Sequence, residues 1–107
     1  MALLALSLFI LFGARPAFCL PQGATVTNGT ATFSNPNENT LEINASNKAI
    51  INYSSFDVAK NETVIINLPS INNSVLNRVL GSSASQILGS VVCNGIFIII
   101  NEKGIFF

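Results

Sequence analysis

The 107-residue sequence has no histidine and no tryptophan, one tyrosine, and only five basic and five acidic residues. Without histidine, the side chain that most often moves protons or holds metals near neutral pH is missing. Asp57 is the sole aspartate, and Glu38, Glu42, Glu62 and Glu102 are scattered with neither paired-carboxylate nor metal-ligand spacing. The inventory argues against an enzyme, a metal site or a cofactor in these residues. Sparse charge also denies nucleic acid, or an anionic membrane, any basic patch to bind.

The sequence opens on an apolar run from Ala2 to Phe12, broken only by Ser7 and closed by Arg15-Pro16. That run is well short of the roughly 20 apolar residues a spanning helix needs. Small residues stand at the −3 and −1 positions of a cut after Cys19, namely Ala17 and Cys19 itself. Residues 1–19 therefore read as a helical signal peptide, which hands the chain to the general secretion machinery. No Lys or Arg precedes the apolar run, a departure from the usual positive n-region, and Phe18 is too bulky for lipoprotein processing at Cys19. Cleavage leaves Cys93 without a cysteine partner, so residues 20–107 are expected to fold with no intrachain disulfide. The sequence stops at Ile105-Phe106-Phe107, in an apolar run without a polar cap, which gives the expectation of the N-terminal part of a longer protein.

After residue 19 the chain is rich in Asn, Ser and Thr. Short runs with strand chemistry cover Thr30 to Phe33, Leu41 to Ile43, Ala49 to Tyr53, Thr63 to Leu68 and Ile96 to Ile100. Val64, Ile66 and Leu68 alternate with Ile65 and Asn67, the period of a strand with one buried face. Turn residues separate the runs at Asn28-Gly29, Asn35-Pro36-Asn37, Pro69-Ser70, Asn94-Gly95 and Lys103-Gly104. Between Val75 and Val92 the apolar spacing is nearly helical, but Gly81, Gly89 and Ser82-Ser83-Ala84-Ser85 favour short strands and turns. An all-β chain follows. Its Asn content suits a parallel β-helix, where equivalent Asn side chains bond from coil to coil, and hairpin-built sandwiches use the same turns.

Leu76-Asn77-Arg78-Val79-Leu80-Gly81, then Ser85-Gln86-Ile87-Leu88-Gly89, then Asn94-Gly95 before Ile96 to Ile100 and Asn101-Glu102-Lys103-Gly104-Ile105, together carry a family likeness. They resemble the haemagglutination-activity, or two-partner secretion, domain of filamentous-haemagglutinin-like exoproteins. Leu20-Pro21-Gln22-Gly23 and the block from Ala49 to Val58 resemble it too. Three departures stand out: Tyr53 where Trp is frequent, Asn67-Leu68-Pro69 for a Gln-Pro motif, and Asn101-Glu102-Lys103-Gly104 for Asn-Pro-Asn-Gly. The last keeps Asn and Gly at the ends of a type I turn and loses the Pro that presets it.

The resemblance implies a right-handed, single-stranded parallel β-helix of the pectin-lyase-like kind, with residues 20–107 its N-terminal fragment. It implies secretion to the cell surface or beyond, through the periplasm and an outer-membrane pore partner whose periplasmic POTRA modules read the domain in an extended form. Adhesion to host or neighbouring cells would belong to the rest of the protein; the alternative is the targeting domain of a haemolysin or contact-dependent inhibition toxin. Asn77 and Arg78 are the candidates for partner recognition, Arg78 being a lone charge between apolar neighbours; against this, Asn77 could cap a coil turn while Arg78 is solvated. Asn94, Gly95, Asn101 and Gly104 are read as structural turn residues. Asn-x-Ser/Thr triplets at Asn28, Asn44, Asn52, Asn61 and Asn72 carry no weight in a bacterial setting, and Cys93 is read as a small buried residue.

Overall fold

A computed structural model describes residues 20–107. The signal peptide expected over residues 1–19, with its cleavage residues Ala17 and Cys19, lies outside the described residues. The rest is all-β: β1 (Thr25–Asn28), β2 (Ala31–Asn37), β3 (Thr40–Ala45), β4 (Ala49–Tyr53), β5 (Thr63–Asn67), β6 (Ser74–Val79), β7 (Ser85–Gln86), β8 (Ser90–Cys93), β9 (Ile96–Asn101) and β10 (Ile105–Phe106). Every run read as a strand from the sequence is one, and the stretch from Val75 to Val92 contributes β6, β7 and most of β8 rather than a helix.

Three sheets form, ordered β1-β4-β6-β9, β2-β3-β5-β8 and β10-β7. From β5 onward the chain visits them in turn, β5-β6-β7 and then β8-β9-β10, and each later strand pairs parallel to its earlier neighbour. Thr40 faces Thr63 and Thr63 faces Ser90; Val75 stands between Ala49 and Phe97; Ser85 faces Ile105. The first two strands differ. β1 runs antiparallel to β4 and β2 antiparallel to β3, so the uniformly parallel pairing implied by a β-helix does not extend to them. For β2 the cause is the connection: Glu38-Asn39 is a two-residue turn, too short to return in any direction but antiparallel.

Alternation along each strand builds the core. Val64, Ile66 and Leu68 are buried while Thr63, Ile65 and Asn67 are half-buried on the outer side. Register then stacks like on like: Leu41, Val64 and Val91 make one inward row, and Ile43, Ile66 and Cys93 the next. The Tyr53 and Phe56 rings close the core edge to face, with centroids 5.1 Å apart. Gly81 and Gly89 mark corners where one pass lies directly on the backbone of another. A Cβ at Gly81 would fall on the Ser54 carbonyl oxygen, and one at Gly89 on those of Ala59 and Glu62.

The two ends of this stack are unlike. At the β8–β9–β10 end an apolar hollow of about 370 Å³ opens between Ile87, Val91, Cys93, Phe97, Ile99 and Phe107. On the outer side of β9, Ile96, Ile98 and Ile100 are 42–50% exposed.

Candidate functional site

Asn77 lies in the middle of β6, in register between Ile51 of β4 and Ile99 of β9. Period-2 alternation with Val75 and Val79 turns its side chain inward, and it is completely buried. The Tyr53 hydroxyl donates to Asn77 Oδ1 at 2.8 Å, and Asn77 Nδ2 donates to the Ile98 carbonyl at 3.1 Å. One amide on β6 thus ties its own strand to both neighbours, β4 and β9. Burial raises the Tyr53 hydroxyl's pKa well above its ordinary value, which keeps the proton on the oxygen and the donor role intact. Asn77 therefore caps no turn; it is an interior polar group with both ends of its amide satisfied.

Arg78 points the other way. It is half-buried on the outer side, in register between Asn52 and Ile100, both uncharged. Asn52 Oδ1 is buried with no hydrogen-bond partner. The structure thus separates the adjacent pair read as a recognition site: Asn77 belongs to the core and Arg78 to the outer surface.

The turn residues reach further than their own turns. Asn94 grips the pass beneath it, accepting from the Leu68 N–H at 2.7 Å and donating to the Leu68 carbonyl at 2.8 Å. Gly95 follows where a Cβ would lie 2.6 Å from the Asn73 carbonyl oxygen. At the next turn the Gly104 N–H bonds to the Asn101 carbonyl at 3.0 Å, and the Lys103 N–H bonds to Asn101 Oδ1 at 2.9 Å. Asn101 Nδ2 donates to the Ser83 carbonyl and to Ser85 Oγ. Gly104, at a φ of 110°, then directs Ile105 alongside Ser85. The turn closes without Pro because the Asn101 side chain supplies the second bond.

Two groups escape sequence reasoning. Glu62, read as one of several scattered acids, is buried, and its Oε1 accepts from the Ala59 N–H at 2.8 Å while its own N–H donates to the Ala59 carbonyl. The signal was local, an acid three residues after a turn start. Asn67 donates to Asn44 Oδ1 and Glu42 Oε2 on the neighbouring strand, an outer polar row visible in the sequence only once register is known. Cys93 is half-buried, lining the open hollow. Among the described residues no cluster of three His, Cys, Asp or Glu side chains could hold a metal ion.

The family model described as TPS secretion domain matches residues 17–107. A heme/hemopexin-binding protein of Haemophilus influenzae strain Rd is 34% identical over 86 residues, covering 80% of this chain and 10% of the relative. A second heme/hemopexin-binding protein of Haemophilus influenzae is 32% identical over 95 residues, covering 88% and 10%. The chain thus spans about a tenth of the curated relatives it matches. The crystal structure of the HMW1 secretion domain from Haemophilus influenzae matches at a TM-score of 0.77 and 38% identity, over 79% of this chain and 23% of that one.

Proposed function

The chain belongs to the TPS secretion domain family, and from that premise we propose that residues 20–107 direct a large exoprotein through an outer-membrane pore and start its folding outside the cell. Exoproteins of this family are secreted or surface-exposed. On this reading residues 1–19 are a signal peptide that delivers the chain to the periplasm, where POTRA modules of the pore partner take up the extended segment. A low-charge, strand-forming segment suits that step, since it can add to a sheet edge through main-chain bonds while alternate side chains set register. The observation that carries the proposal, beyond family membership, is that Cys93 is free and no disulfide occurs among the described residues. Nothing covalent there obstructs threading.

The three sheets visited in turn from β5 onward are, on this reading, the faces of a right-handed parallel β-helix, with β1 and β2 laid antiparallel at its beginning. Arg78, outward and flanked by neutral side chains, is the group proposed to give the pore partner a directional contact, together with Asn77 while the chain is still extended. Deleting the gene for the outer-membrane pore is expected to trap the full-length exoprotein in the periplasm; undiminished release into the medium would refute the proposal. Arg78→Gln, which leaves the core untouched, is expected to lower release about tenfold, in line with loss of one charge-assisted contact. Release at the unaltered level would remove Arg78 from the recognition site.

For the whole protein, adhesion to cells or surfaces is the proposed role. A second reading, favoured by the names of the two relatives, is binding of heme or hemopexin. Retention of the released full-length protein on heme-agarose, with no binding to cultured cells, would select the second.

A further inference from the structure

Asn77 occupies an interior position where an apolar side chain would bury surface against Ile51 as soon as β4 and β6 paired. Asn forgoes that gain. In exchange its amide nitrogen needs an acceptor, and the acceptor is the Ile98 carbonyl, which arrives only with β9. On the other side its Oδ1 holds the Tyr53 hydroxyl, itself a buried group that would be costly to leave unpaired. Pairing of β4 with β6 gains the Tyr53 bond but leaves the Asn77 amide nitrogen without its protein acceptor until β9 completes the set.

We propose that the Tyr53–Asn77 pair is a brake on early folding, which keeps Ala49–Tyr53 and Ser74–Val79 from forming a persistent structure before Ile96–Asn101 docks. The brake holds the segment extended for uptake by the pore and releases once the third pass is in place. Its use in secretion rests on the function proposed above, whereas the order of folding does not. The reciprocal pair explains why both partners matter. Replacing both by apolar side chains removes the buried polar groups together, a change that is near neutral or stabilising, while replacing one orphans the other.

The test is pulse-labelled hydrogen exchange read by mass spectrometry on the full-length exoprotein as it refolds from denaturant. In the unaltered protein, peptides covering β4 and β6 are expected to gain protection together with those covering β9. In Tyr53→Phe/Asn77→Leu, β4 and β6 should gain it about tenfold sooner than β9, a factor equivalent to about 1.4 kcal/mol. Early protection of β4 and β6 in the unaltered protein would overturn the proposal without recourse to any variant. An unchanged order in the double variant, or its failure to fold, would overturn it as well. In cells, equal release of the double variant with an altered folding order would sever the brake from secretion. Dependence of release on the pore gene is measured separately, so failure of the secretion reading would not be mistaken for failure of the brake.

Discussion

Tyr53 is 1% exposed, and burial raises its pKa above the ordinary value of 10.0. Below that value the hydroxyl is protonated in folded and unfolded chains alike. Above it the unfolded chain sheds the proton that the folded chain keeps, so rising pH favours unfolding. Urea melts are expected to show this contribution constant near neutrality and falling by about 1.4 kcal/mol per pH unit above about pH 10. Tyr53→Phe should remove that part of the slope; an identical slope in the variant would show that the hydroxyl is not held as described. Asn94→Ala should cost about 1–3 kcal/mol in the same assay, since it strips partners from both backbone groups of the buried Leu68. The sequence marks Asn94-Gly95 as a turn but conceals the grip on Leu68, because that contact depends on how successive passes align. For Asn77 a signal was present: Val75, Asn77 and Val79 alternate, which puts the Asn on the buried face. The lone charge of Arg78 beside it drew attention to chemistry instead.

Among the elements, β5 was legible because Val64, Ile66 and Leu68 announce its buried face. The stretch from Val75 to Val92 was harder, since three short strands separated by corners imitate helical spacing. Gly81 and Gly89 settle it, each sitting where another pass leaves no room for a Cβ. Gly89→Ala is expected to destabilise the domain by about 2–4 kcal/mol, measured by chemical denaturation, because the methyl group would press on two backbone carbonyls that cannot rotate away. A loss under about 0.5 kcal/mol would mean that this corner is looser than drawn. The direction of β1 and β2 was not legible. Pairing direction follows from connection length and from what neighbours are free, and period-2 alternation looks the same in parallel and antiparallel strands.

At the scale of the described residues as a whole, the first strands of the stack carry features that discourage further pairing. β2 carries Pro36, and its register slips between Ser34 and Asn37; β1 slips between Val26 and Asn28. Proline and irregular register both discourage further pairing. β9 has neither, and no charged residue lies between Ile96 and Asn101. The core contact between Tyr53 and Asn77 has, finally, an optical consequence. With one tyrosine and no tryptophan in the segment, its tyrosine emission comes from a single ring hydrogen-bonded at the heart of the stack. A change in that emission would report, without any attached dye, whether the passes around Asn77 have come together.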